Sequence, residues 1–558
     1  MVAPAPRWCT PVVALLPLLL GAVTALLPAA TLHVRQHRLQ LHAIGSAQPL
    51  LRQRHALGMS TTAAPAPAQL SAGENFNYWR AWWPVAIAED LQPDVPERVE
   101  LLGEALVLWR DSNKQWRAAV DRCPHRMAPL SEGIIHPKTG NLMCTYHGWE
   151  FDGDGTCTNI PQATTDAAAA SRRACAQSVP VQIATGLVWV WPDTSPEGLA
   201  ESKIKRPAIV ADMDLPDYNG YWYVRDQPYS YDVLIENLGD PAHLPFAHHG
   251  VISNRKSGAP LGITMEPPSA LFGPDAKNLH ANGGYLSKPF AFMPALRDTP
   301  NMVMGFEPPT LFYYKSTYTG DMLQDVVRRL PLPPPFKALG RFMVGRDTKK
   351  NPDKPLHLYF VGYSIPTMPG KSRLILRNCR NFLTFLGKKS RAADHIRQHL
   401  VLDGDNALLH YEEREYDRLG VKDRLESSLY LPTDADTPVR AWRQWYQKNK
   451  IQWACGVEDR GGDKEAVPPR EVLLERYHAH TKHCSACRAA LAATRKKRKL
   501  SLGAAAVLLA IAAALPGGTR ASVAAAAMAV AAAGASYRQQ QHEREFHYVE
   551  YIHAMRDV

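Results

Sequence analysis

Apolar and polar positions alternate in short runs through the first half of the folded chain. The stretches 99–109 and 116–120 carry the period of half-buried strands, and an apolar run follows at 186–191. With turn formers such as Asp152-Gly153-Asp154-Gly155 between them, residues 74–200 read as a small all-β module. From 201 to 455 strand-like runs (220–224, 356–365, 373–378) are interleaved with helical stretches (390–400, 406–416), which predicts an α+β domain. The Pro-rich segment 330–335 reads as a surface loop. Residues 456–500 read as a linker carrying a Cys-x-x-Cys pair, and no internal repeat is evident. Two uncharged runs follow, 501–518 and 521–537, parted by Arg520 and a Pro516-Gly517-Gly518 turn, before a tail at 538–558. At 1.5 Å per residue each run is about 26 Å long, slightly short of a hydrocarbon core. The expectation is a hairpin of two transmembrane helices, with the basic cluster 495–499 and Arg538 on the same side; the alternative is an alanine-rich hairpin buried in the body.

Composition changes this picture little. The 558 residues are 46% hydrophobic and 21% charged, as in a folded protein with real cores. The net charge of +11 does not imply nucleic acid, because the basic residues concentrate near the two ends. Residues 1–73 contain no acidic residue, while Arg7, Arg35, Arg38, Arg52 and Arg54 are scattered among Ala, Leu, Pro, Ser and Thr. That is the composition of an organelle transit peptide, read here as a plastid targeting leader, either a simple transit peptide or a bipartite one whose first part is the apolar run 11–30. Nine cysteines in so long a chain suit metal sites in a reducing compartment better than a disulfide framework.

The most specific motif is Cys123-Pro124-His125, an eighteen-residue gap, then Cys144-Thr145-Tyr146-His147. Two thiolates can hold one iron of a [2Fe–2S] cluster while two neutral imidazoles hold the other. Zinc fingers group their cysteines together and their histidines together, whereas here each loop supplies one of each. With Arg126 and Trp149 beside it, this segment resembles the Rieske domain family over residues 75–193.

A second motif, Glu236-Asn237-Leu238-Gly239-Asp240-Pro241-Ala242-His243-Leu244-Pro245-Phe246-Ala247-His248, holds two histidines five apart. On an unbroken helix these lie about 140° apart around the axis. Pro245 is expected to bend the helix so that both turn inward, while Asp240-Pro241 reads as an N-cap followed by proline at the first helical position. Beside a Rieske motif, the pair suggests a two-histidine, one-carboxylate Fe(II) site with open positions.

Three further motifs stand out: Asn159-Ile160-Pro161-Gln162-Ala163 after the cluster loops, the late His478-Ala479-His480-Thr481-Lys482-His483-Cys484-Ser485-Ala486-Cys487, and the closing Phe546-His547-Tyr548-Val549-Glu550-Tyr551-Ile552-His553. With these, the chain over residues 75–558 further resembles the plant and algal branch that includes pheophorbide a oxygenase, a plastid-envelope translocon component and protochlorophyllide a oxygenase relatives. Chlorophyllide a oxygenase itself ranks below these. The resemblance implies that Asp240 bridges the two metal centres and that Asp405 completes the iron site, with Asp403 as the near rival. It implies an O2-dependent monooxygenase of a chlorophyll-derived tetrapyrrole, fed by ferredoxin and working as a homotrimer, its body on the stromal side of a plastid membrane. It also makes Cys484 and Cys487 a redox pair and thioredoxin target; zinc binding with the nearby histidines, or two inert thiols, are the other readings. A redox-regulatory role in the envelope import machinery is the rival function.

Overall fold

The computed structural model describes residues 76–557 apart from 264, 267–284, 288–300, 330–332, 351–354, 383, 385–389, 455 and 458–466. The leader assigned to 1–73 therefore lies outside the described residues.

The expected all-β module is present as three small antiparallel sheets. One pairs Trp83–Ile87, Leu187–Val190 and Val181–Ala184; a second runs Glu97–Leu101, Glu104–Arg110, Trp116–Val120, Ser178–Val179; the third joins Ile134–Ile135, Leu142–Met143, Glu150–Phe151 and Cys157–Asn159. The run 99–109, read as continuous, is in fact two strands, because Leu102 (φ 55°) and Gly103 (φ 81°) turn the chain back through left-handed conformations.

The α+β domain is built on a seven-stranded antiparallel sheet. Its order is Trp222–Gln227, Lys371–Arg380, Leu356–Met368, Leu311–Tyr318, Asn301–Glu307, Tyr285–Ser287, Met265–Glu266. The two helical stretches expected at 390–400 and 406–416 are one helix, Arg391–Arg418, started by the Ser390 hydroxyl accepting from the Ala393 amide and followed by Gly420 at φ 62°. Within the segment read as a proline loop, Pro334 and Pro335 instead open a helix, Pro334–Lys350; proline costs nothing in a first turn, where the amide has no helical partner.

One apolar core serves both parts, with Trp189 edge-on to Tyr363 at 5.2 Å between ring centres. The tight turn of the β module is tied to the large sheet through Leu102 N–H to Pro366 O and Gly103 N–H to Thr367 O, each 2.8 Å.

The C-terminal segment departs from expectation. Of the stretch assigned as a linker, the described residues 467–500 fold against the α+β domain, and from Ser485 they are already helix, continuing to Ala514. That helix and Arg520–Arg544 form the expected hairpin, but no helix among the described residues is long and apolar enough to cross a membrane, so the two transmembrane spans at 501–537 are corrected. The first helix carries its uncharged part only over 500–514, and much of the second is alanine, which contributes little to insertion.

Candidate metal centres

The first centre is set by two loops with the same hydrogen bonding. In one, the Cys123 carbonyl accepts from the Met127 amide (2.9 Å) and the Cys123 amide donates to Ala128 O (2.8 Å). In the other, the Cys144 carbonyl accepts from Gly148 (2.9 Å) and the Cys144 amide donates to Trp149 O (2.9 Å). Each turn closes through a left-handed residue, Met127 at φ 60° and Gly148 at φ 75°. The first loop is pinned from beneath by buried Asp121, which accepts from the Ser131 amide and hydroxyl at 2.7 Å each.

The loops sort their donors by chemistry. Cys123 and Cys144 are buried, while His125 is exposed and His147 half-buried, with their rings 4.5 Å apart. His125 stacks on Trp149 at 4.7 Å and 4°. Burial, with Cys144 beside it, pushes the Cys123 thiol up to about 11, so that thiolate there needs a cation. Desolvation, with the charges of His125 and Arg126, lowers His147 and favours the neutral imidazole a metal requires. Among the described residues two side-chain groups gather their donor atoms within 4.8 Å of one another, and these four are not one of them. Two separated pairs suit a binuclear cluster rather than a single zinc ion.

The second centre lies where the helix Tyr231–Gly239 ends. Asp240 is extended (φ −106°, ψ 96°), its carboxylate caps the next turn by accepting from Ala242 N–H at 2.7 Å, and Pro241 begins a 3-10 turn through His243. A single α-turn, Leu244–Ala247, then presents His248 at its C-cap. The break thus falls at Asp240 rather than at Pro245, which sits harmlessly in the first turn of the new helix. His243 Nε2 and His248 Nε2 come to 3.2 Å, and Asp405 from the helix Arg391–Arg418 completes the group at 3.9 Å from His243 Nε2 and 3.5 Å from His248 Nε2. Asp240 Oδ2 stands 3.6 Å from His243 Nδ1, behind the ligand rather than among the donors.

Electrostatics fit a cation. Burial, reinforced by Asp240 and Asp403 and opposed by His243 and Asn237, pushes the Asp405 carboxyl up to about 6. Burial, with His243 and His553 nearby, holds the His248 imidazole well below its ordinary value and therefore neutral. Burial lowers His243 too, but the neighbouring Asp240 and Asp405 carboxylates outweigh it. His243 keeps 19% of its side-chain surface while His248 keeps 2%, so the open approach is from the His243 side.

The rival carboxylate is elsewhere engaged. Asp403 is paired with Arg225 (2.7 Å) and Arg476 (Nε at 3.0 Å), all three completely buried. Between the two aspartates, Gly404 lets the helix approach the histidine turn, since a Cβ there would lie 3.0 Å from His248 Nδ1 and 3.1 Å from Ala247 O.

The late Cys pair belongs to the other compact group. Cys484 and Cys487 meet His480 and His395, all buried. Sequence reasoning had His480 in view but missed His395, whose only signal is its place on the helix that carries Asp405. His478 is exposed, and His483 turns to Glu97, 3.2 Å away.

Comparison with known proteins agrees with this geometry. The Rieske [2Fe-2S] domain family matches residues 81–180, which contain the first centre and exclude the His395 group, and the pheophorbide a oxygenase family matches 306–422, which contain Asp405. The protein is a Rieske non-haem iron oxygenase; its cofactors are a [2Fe–2S] cluster and a mononuclear iron at His243, His248 and Asp405. It is 32% identical over 507 residues to pheophorbide a oxygenase, chloroplastic, of Arabidopsis thaliana, covering 86% of this chain and 85% of that one. It is also 32% identical to protochlorophyllide-dependent translocon component 52 of the same plant (81% and 79% covered) and to flavonoid 8-hydroxylase 2 of Ocimum basilicum (79% of each). The chain therefore belongs to the pheophorbide a oxygenase family. Among solved structures it is similar to dicamba monooxygenase bound to dicamba, at 19% identity and a TM-score of 0.48, over 67% of this chain and 98% of that one.

Proposed function

We propose that the protein is a plastid monooxygenase of a chlorophyll-derived tetrapyrrole, pheophorbide a first among candidates, drawing electrons from ferredoxin. The observation that carries the reading is the convergence of His243, His248 and Asp405 in a chain alike along most of its length to pheophorbide a oxygenases from two plants.

In this reading Cys123, His125, Cys144 and His147 hold the cluster, and the cluster and the iron, when bound, supply electron storage and dioxygen activation. The remaining work is done by the chain. Asp240 holds the His243 ring so that Nε2 faces inward, and with a side chain 32% exposed it also reaches the surface. His125 and His147 emerge on the outside of their own module, which supports a bridge from Asp240 to the histidines of a neighbouring subunit in a homotrimer. Burial of His248 and Asp405 excludes bulk water from the inner side of the site. The apolar side chains exposed along both hairpin helices, Leu502, Leu509, Val523 and Val530 among them, support contact with a plastid membrane surface, which suits a lipid-soluble macrocycle.

The flavonoid hydroxylase relative, at the same identity, favours a second reading as a hydroxylase of a planar phenolic. The test is turnover of the purified protein under 18O2 with reduced ferredoxin, offering pheophorbide a, chlorophyllide a, protochlorophyllide a and a flavone in parallel. Label entering pheophorbide a is the expected result; label confined to the flavone would replace the first reading by the second. Oxidation of ferredoxin with no labelled product from any of the four would favour a regulatory role in protein import.

A further inference from the structure

We propose that His395, His480, Cys484 and Cys487 form a third metal centre, a closed structural site for one zinc ion that clamps the C-terminal segment onto the helix bearing the iron ligand Asp405.

The donor atoms are arranged as one tetrahedral ion requires. His395 Nδ1 and His480 Nε2 are 3.2 Å apart, His480 Nε2 and Cys487 Sγ 3.3 Å, and His395 Nδ1 lies 3.4 Å from Cys484 Sγ and 3.6 Å from Cys487 Sγ. Bonds of about 2.3 Å to sulfur and about 2.0–2.1 Å to nitrogen set tetrahedral edges of about 3.4 Å between nitrogens and about 3.6 Å between nitrogen and sulfur. Tetrahedral two-sulfur, two-nitrogen sites select zinc or an iron–sulfur cluster. A binuclear cluster would hold its two donor pairs at opposite ends, whereas these four atoms share one small volume.

The surroundings are those of a ligand set. His480 Nδ1 donates to Val224 O at 2.5 Å, which fixes the tautomer and turns Nε2, with its lone pair, toward the sulfurs. Tyr223 stacks on the same ring at 4.5 Å. Cys484 caps the helix Ser485–Ala514, its sulfur accepting the Cys487 amide at 3.5 Å, so both sulfurs sit at the positive end of a long helix. Four protein donors leave no open position, which marks a structural rather than a catalytic ion. Both sulfurs are 0% exposed, as a closed structural site requires.

The site joins three pieces of chain. His395 lies on Arg391–Arg418, as does Asp405; His480 follows Arg476, which grips Asp403; and the two cysteines begin the hairpin. Occupancy therefore positions the iron site without touching it.

The experiment is metal analysis and zinc K-edge absorption on full-length protein purified anaerobically without chelator. About one zinc per chain in a shell of two sulfurs and two nitrogens is expected, retained in His243→Ala, where the mononuclear iron is lost. His395→Gln should lose the zinc while keeping the cluster's visible absorption; should that variant not fold, the wild-type shell still decides. No zinc in the wild type, iron in its place, or a Cys484–Cys487 disulfide found by mass spectrometry would each overturn the proposal.

Discussion

Asp403 and Asp405 stand two residues apart on one helix and face opposite partners, Asp403 a pair of buried arginines and Asp405 a pair of histidines. A helix turns about 100° per residue, so positions i and i+2 diverge by about 200°. One carboxylate thereby builds the scaffold while the other builds the iron site.

The two should therefore fail differently. Asp405→Ala and His243→Ala are expected to lose mononuclear iron and turnover while the cluster's visible and paramagnetic signals persist. Asp403→Asn leaves Arg225 and Arg476 buried without a counter-charge and should cost about 3–5 kcal/mol. Metal analysis beside denaturant unfolding separates the cases, and an Asp403→Asn variant that is stable but depleted of mononuclear iron would reverse the two roles.

Gly404→Ala places a methyl 3.0 Å from His248 Nδ1 and 3.1 Å from the Tyr551 hydroxyl. Because the crowding is against backbone and a ligand ring, we expect about 1–3 kcal/mol of destabilisation and a lowered iron content. Unchanged iron at full turnover would show that the histidine turn can shift freely.

Gly148→Ala asks an L residue to adopt φ 75° with Pro161 Cγ 3.0 Å from the new carbon. The conformation alone costs about 1–2 kcal/mol. The loss should appear as earlier thermal bleaching of the cluster, with little effect on iron at His243.

Glu307 supplies a pH dependence of stability. Burial pushes its carboxyl up to about 8, and one of its oxygens is buried without a hydrogen-bond partner. The unfolded carboxyl ionises near about 4.3, so between that value and about 8 the folded chain holds a proton that the unfolded chain has released. This contribution is complete below the unfolded value and is lost as pH rises through about 8. Melting temperature should fall from pH 6 to pH 9 in the wild type and fall less in Glu307→Gln; parallel profiles would assign the effect to another group.

The centres differ in how far the sequence discloses them. Cys123, His125, Cys144 and His147 are readable because each loop is a local device, spelled within a few residues. His243 and His248 are readable for the same reason, although the hinge lies at Asp240, since a proline in a first turn does not bend a helix. Asp405 needs the family's pattern, because only the packing of Arg391–Arg418 against the histidine turn brings it in. His395 is the extreme case: its partner His480 is 85 residues away, joined through tertiary packing that no spacing encodes. The hairpin helices are legible from composition, but whether alanine faces lipid, water or protein is set by hydropathy too weak to decide it.

The Tyr551 hydroxyl donates to the Ala247 carbonyl at 3.0 Å, one residue from His248, and the backbone before it is held by Arg476 and Thr481. Residues 545–551 thus brace, from behind, the turn that carries a ligand to the iron. A cut that removed them would loosen His248 although every donor of the site remained in the chain.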